Sequence, residues 1–120
     1  MEYMTYNKYG NIKTNGSASK REDKRKWELE MLERAGKITD LQCQVPFELI
    51  PAQYEPDTIG KRGGVKKGKC IERAVKYVAD FVYMKDGEKI VEDTKGFRTS
   101  DYIVKRKLML WRYGIRIVEV

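Results

Sequence analysis

Apolar and polar positions alternate most clearly in the C-terminal half of the chain. Val75 to Tyr83 is rich in Val, Tyr and Phe, and Lys89 to Lys95 carries an apolar Ile90-Val91 pair. Between them lies Lys85-Asp86-Gly87-Glu88. Asp-Gly readily takes positive φ at both turn positions, which makes it a strong hairpin signal. The pattern predicts two antiparallel strands, with Val78, Phe81, Ile90 and Val91 as core contacts. Ser19 to Ala35 instead repeats at helical spacing: Trp27, Met31, Leu32 and Ala35 form a stripe, with Leu29 at its margin. Ser19 with Glu22 reads as a capping box, and Gly36 as the helix stop. Ile38 to Ile50 alternates Leu41, Cys43 and Val45 with polar neighbours, so a strand is predicted there. Pro46 and Pro51 place its second half at an edge or bend. Ser100 to Tyr113 reads as a second helix, capped by Thr99 or Ser100, that buries Ile103, Val104, Leu108 and Trp111. Ile115 to Val120 alternates as a last strand. Two stretches show no period: residues 1–18, read as a flexible basic arm, and Pro56 to Gly68, read as a loop.

The order helix, strand, hairpin, helix, strand predicts an α/β fold with a central mixed sheet flanked by helices. At 120 residues the chain suggests one domain with a modest core, over residues 19–120. No run of about eighteen apolar residues occurs, so no membrane span is expected. No apolar N-terminal segment suggests secretion, and a cytoplasmic protein is expected. Cys43 and Cys70 stand far apart and there is no histidine. That argues against zinc sites and Cys-His nucleophiles and excludes a histidine base. Acid–base chemistry then falls to Asp, Glu, Lys, Tyr or a metal-held water.

Charge sharpens this outline. The net charge is +7 and the excess is clustered. Residues 1–26 hold seven Lys/Arg against three acids, residues 57–69 five against one, and residues 98–112 five against one. Clustered positive charge suits a phosphate backbone, although solubility alone also favours net charge. Tyr3, Tyr6 and Tyr9 could stack on bases beside Lys8 and Lys13. In the loop, Gly60, Gly63, Gly64 and Gly68 interleave with Lys61, Arg62, Lys66, Lys67 and Lys69 without the spacing of a Walker loop. A clamp on the DNA backbone and a solvated insertion both fit it.

The hairpin holds the candidate chemistry. By strand alternation Asp93 and Lys95 share a face while Glu92 and Thr94 point the other way. With Asp80 on the first face, two carboxylates and an ammonium converge. Such a set can hold a hard divalent cation and steady charge on a phosphoryl group. A solvated charge ladder on an exposed sheet would read the same.

Asp80, then Asp93-Thr94-Lys95, resembles the Asp…(Asp/Glu)-x-Lys signature of the PD-(D/E)XK nuclease superfamily, with Ala79 where a proline is usual. Further stretches resemble, in order, a small phage-encoded branch of that superfamily related to Holliday junction resolvases and often known only as a domain of unknown function. They are Ser19-Lys20-Arg21-Glu22, Trp27-Glu28-Leu29-Glu30-Met31-Leu32, Ala35-Gly36-Lys37-Ile38, Gln44-Val45-Pro46-Phe47-Glu48-Leu49, Arg73 to Phe81, Val91 to Gly96, Thr99, Lys105-Arg106-Lys107-Leu108 and Tyr113-Gly114-Ile115. The resemblance covers about residues 19–119.

It implies a restriction-endonuclease-like core (α-β-β-β-α-β) and a Mg²⁺-dependent DNA endonuclease, with Mn²⁺ able to substitute. The substrate it implies is branched DNA such as a four-way junction, cut by metal-activated water to leave a 5′-phosphate. Symmetric cutting of a junction calls for a homodimer, and the setting implied is the cytoplasm of a bacterial host. Asp80 and Asp93 would hold the metal, with Glu22 and the Thr94 carbonyl helping and Lys95 positioning the water. Helical geometry leaves Glu28 as the competitor to Glu22, while Gln44, on one strand face with Gln42, could serve the site as a polar helper or be a satisfied edge glutamine. Lys105, Lys107, Arg73, Lys66, Lys67, Lys20 and Arg21 would contact DNA. Two other readings remain open: a phage nicking or flap nuclease using the same residues, and a non-catalytic basic DNA-binding protein.

Overall fold

Asp86 and Gly87 both adopt positive φ, 52° and 78°, so the predicted turn closes with the twist that antiparallel strands need. The computed structural model describes residues 17–95 and 97–120. Nearly all of the expected N-terminal arm, with Tyr3, Tyr6 and Tyr9, lies outside the described residues, as does Gly96. In chain order the elements are α1 (Ser17–Arg34), β1 (Thr39–Ile50), β2 (Gln53–Tyr54), β3 (Thr58–Ile59), β4 (Val65–Lys66), β5 (Cys70–Glu72), β6 (Val75–Lys85), β7 (Glu88–Asp93), α2 (Ser100–Tyr113) and β8 (Val118–Glu119). The main sheet runs β1-β6-β7-β8; β7 and β8 are parallel and the other pairs antiparallel. The fold is thus mixed α/β, with a central mixed sheet and two helices. Among the described residues no helix is long and apolar enough to cross a membrane.

The two helices cover opposite faces of the β6–β7 hairpin. Phe81 stands opposite Glu92 and Val82 opposite Val91, so the two pairs point to opposite faces. Phe81 and Tyr83 pack with Leu29 of α1 and with Ile38. Val82 and Val91 pack with Tyr102 and Met109 of α2. The buried stripes differ from those predicted. Leu29 is fully buried while Trp27 is 62% exposed, and Tyr102 and Met109 are buried while Trp111 is 79% exposed. Val78, expected in the core, is also largely exposed. Helical spacing fixes which residues share a stripe, but the sheet's side chains decide which stripe is covered.

Both long strands change faces midway. Leu41 packs on the α1 side, whereas Val45, Phe47 and Leu49, of the same parity, pack on the α2 side. Tyr77 and Ala79 likewise sit on the α2 side, and Phe81 and Tyr83 on the α1 side. The change falls at Gln44 and Asp80, opposite each other between the Cys43–Phe81 and Val45–Ala79 pairs. Gln44 has φ 55°, a left-handed conformation that interrupts alternation and is unfavourable for a side-chain-bearing residue. Such strain collects at functional sites.

The helix ends follow local rules. Gly36 takes φ 75°; its N–H donates to the Glu33 carbonyl and that of Lys37 to Leu32, which closes α1 as a Schellman motif. At the other end the described part of α1 begins at Ser17, so Ser19 lies within the helix rather than at the N-cap position expected for it. Thr99 caps α2, its hydroxyl accepting from the Tyr102 N–H at 3.1 Å.

The glycine-rich segment, expected as a loop, contains two short paired strands. Gln53 pairs with Glu72, Tyr54 with Cys70, Thr58 with Lys66 and Ile59 with Val65. These nested ladders form a two-stranded arm at the end where β1 meets β6. Two-residue strands carry too few alternations to register as a period. Cys43 and Cys70 are free thiols.

Candidate functional site

The face change places polar groups where the sheet would otherwise continue its core. Asp80, half-buried in β6, accepts from the Thr94 N–H at 2.8 Å and the Thr94 hydroxyl at 2.9 Å. Alternation had pointed Thr94 away. It reaches Asp80 because β7 ends at Asp93, so Thr94 and Lys95 belong to the segment that follows. That segment is tied to the C-terminus: the Val120 N–H donates to the Asp93 carbonyl at 3.0 Å, and the Lys95 N–H to the Val120 carbonyl at 3.2 Å.

Asp93 is 3% exposed. It accepts from the Tyr77 hydroxyl at 2.5 Å and faces the Lys95 ammonium at 3.3 Å. The ammonium in turn lies 4.1 Å from the centre of the Tyr102 ring, held between carboxylate and aromatic face. Burial pushes the Asp93 carboxyl up to about 6, and the neighbouring Asp80 charge pushes the same way against Tyr77 and Lys95. Glu22 crosses from α1 to this group. Gln44 bridges them, donating through Nε2 to Glu22 at 2.9 Å and to Asp80 at 3.5 Å. Burial, then the charges of Asp80, Asp23 and Asp93, raise the Glu22 carboxyl as well.

Asp80 and Asp93 line a cleft of about 310 Å³ together with Tyr77, Lys95, Tyr102 and Lys105, and Glu22 stands beside it behind the Gln44 amide. The Asp80 charge that helps raise both Glu22 and Asp93 also favours a cation beside them. Among the described residues, no three acidic or thiol side chains come close enough to enclose a metal ion. The hard oxygens of Asp80 and Asp93 nevertheless suit Mg²⁺, which keeps several waters and needs only one or two carboxylates.

The other sequence-predicted residues divide clearly. Glu28 turns to Arg25, 3.1 Å away, and does not join Asp80 and Asp93. Lys105 lines the cleft and pairs with Asp101 at 3.6 Å. Arg21 donates to the Lys95 carbonyl at 3.1 Å, while Lys20 is exposed on the same helix. Lys107 lies instead beside Arg106 and Arg116 at a different hollow. Lys66 and Lys67 are on the arm, and Arg73 is exposed between β5 and β6.

Tyr77 and Glu92 escaped the sequence reading. Tyr77 meets Asp93 only because β6 changes faces beyond it. Glu92, 1% exposed on the α1 side, binds Arg25 through two bonds, at 2.8 and 2.7 Å, and accepts from the Tyr83 hydroxyl. No local pattern reports a partner 67 positions away. Replacing Tyr77 by Phe is expected to cost about 1.5–3 kcal/mol when Asp93 is ionised, because it removes a hydrogen bond to a buried charge. The loss should be larger at pH 8 than at pH 4, where Asp93 is protonated. Urea unfolding at both pH values measures it, and equal losses would refute the Tyr77–Asp93 coupling.

Searches of curated proteins and of solved structures found no match. A family model described as "Protein of unknown function (DUF1064)" matches residues 5–118, nearly the full length, and the chain belongs to that family.

Proposed function

We propose that the chain is a Mg²⁺-dependent endodeoxyribonuclease with a restriction-endonuclease-like core, acting on branched DNA as a Holliday junction resolvase does. The observation that carries this reading is the convergence of Asp80, Asp93 and Lys95 on one cleft, from two strands and the segment after β7, with Glu22 of α1 joined to Asp80 through Gln44. The resemblance set out above names the same four residues.

Asp80 and Asp93 would hold the cation, with Glu22 near through Gln44. When bound, the cation would supply charge neutralisation at the phosphate and a more acidic water. Thr94 fixes the Asp80 carboxylate by two hydrogen bonds, and Tyr77 fixes that of Asp93. Both oxygens are thereby oriented before substrate arrives. Lys95, held near Asp93 and the Tyr102 ring, would orient the attacking water and offset the negative charge that builds on the phosphoryl oxygens. Lys105, at the cleft wall, would take an adjacent phosphate. Two protomers would place two such sites on the two strands of a junction.

The test is cleavage of a synthetic four-way junction beside linear duplex of the same sequence, with and without Mg²⁺. Paired symmetric nicks in the junction are expected, and Lys95→Ala should slow them by about a hundredfold or more. Binding without any cleavage in Mg²⁺ or Mn²⁺ would replace this reading with that of a DNA-binding protein. Nicking of flaps or linear DNA in preference to junctions would keep the chemistry and change the substrate.

A further inference from the structure

The arm carries two unlike features at its tip. Ile59 and Val65 stand directly opposite each other, 74% and 70% exposed. Around them Lys61, Arg62, Lys66, Lys67 and Lys69 give residues 57–69 five cations against one acid. The arm is also braced. The Glu55 N–H donates to the Lys69 carbonyl at 2.8 Å, and the Gly68 N–H to Asp57 at 2.9 Å. A Cβ at Gly68 would lie 1.8 Å from the Glu55 carbonyl oxygen, so the two strands meet there in a way only glycine permits. Seven residues from Gln53 to Ile59 give a reach of about 20 Å.

We infer that this arm docks on branched DNA, with the Ile59–Val65 tip against the base pair bared at the branch and the flanking cations along the phosphates. The inference rests on the branched-DNA reading above and names the part of the chain that would select the branch. Apolar side chains gain by stacking on bases, and apolar wedges enter DNA where base steps open. Unstacking costs least where pairing is already interrupted, so an apolar tip favours a branch over continuous duplex. The cations read phosphates in either substrate and supply affinity without preference. Charge argues against the arm of a second copy as occupant: residues 57–69 hold five cations against one acid, so two arms would bring like charges together. Cross-strand pairing of β-branched residues would stabilise the ribbon by itself. Threonine would do that equally well, however, and threonine is therefore the discriminating substitution.

The experiment measures binding of the full chain to a labelled four-way junction and to linear duplex, without divalent cation, across a salt series. For Ile59→Thr/Val65→Thr, the preference for junction is expected to fall about tenfold with the salt slope unchanged. For Lys66→Gln/Lys67→Gln, both substrates should weaken alike, and the slope of log K against log salt should fall by about 0.9 per lost contact. A 2-aminopurine at the branch should brighten with wild type and not with the threonine variant. Unchanged junction preference in the threonine variant overturns the inference. So does a change in oligomeric state alone by sedimentation, which would make the arm a protein interface. Because cleavage plays no part, the two readings fail separately. Arm-dependent junction binding without Mg²⁺ cleavage removes the nuclease and keeps the arm. Cleaving wild type with an unaffected threonine variant does the reverse.

Discussion

Asp93→Asn is expected to slow Mg²⁺-dependent cleavage by about a thousandfold while making the metal-free protein more stable at neutral pH. Both effects have one origin. Asp93 is buried beside Asp80, and its carboxyl is pushed from 3.8 up to about 6. Between those values the folded chain keeps a proton that the unfolded chain releases, so this group's contribution falls as pH rises from about 4 to about 6. Two units correspond to about 3 kcal/mol. Asparagine does not titrate and still offers Tyr77 an acceptor oxygen. The stability of the variant relative to wild type should therefore grow by about 2–3 kcal/mol between pH 4 and pH 7, in chelator. Urea unfolding at the two pH values, run beside the junction assay, tests both halves. Parallel stability profiles would show that Asp93 is not held against its own charge. A variant that cuts like wild type would remove Asp93 from the chemistry.

Arg25→Met is expected to damage the fold severely, costing about 3 kcal/mol of a total of order 5–15 kcal/mol. The guanidinium makes two hydrogen bonds to Glu92, whose side chain is 1% exposed, and it is what joins α1 to β7 at that depth. Removing it leaves a buried carboxylate with, among the described residues, only the Tyr83 hydroxyl as a side-chain donor. The damage arises from the abandoned charge rather than from the lost bonds. Arg25→Met/Glu92→Gln should accordingly recover at least half of the loss, since the amide is neutral and still accepts from Tyr83. Denaturant midpoints of the single and double variants decide it. A cost under about 1 kcal/mol for Arg25→Met, or no recovery in the double variant, would mean that the pair does not clamp the helix. Loosened α1 would also carry Glu22 away from Gln44, so cleavage should fall with stability in the single variant.

Much of the local structure was legible in the chain. Asp86-Gly87 specified its own turn, because few residue pairs accept positive φ at two successive positions. Gly36 marked the end of α1 and Thr99 the start of α2 for similarly local reasons. The mixed sheet with two helices followed from the order of periods. Asp80, Asp93 and Lys95 could be selected because a hairpin brings positions thirteen to fifteen residues apart into register. Glu22 could be named but not separated from Glu28, since both lie on one helix and only its placement shows that Glu28 turns to Arg25 while Glu22 reaches Gln44.

Neighbours in the chain set its turns, its caps, the periods of the long strands and helices, and the clustering of charge. Residues far apart in the chain set the rest. Leu29 rather than Trp27 is covered because Phe81, Tyr83 and Ile38 stand beneath α1. The arm exists because segments on either side of Lys61 and Arg62 pair, although each strand is too short to show a period. Tyr77 and Asp93 meet because both long strands change faces at Gln44 and Asp80, and strict alternation would have kept them apart. Local dihedral preferences act over a few residues. Burial and charge pairing act across the folded chain, and they set the surroundings of Asp80, Asp93 and Lys95.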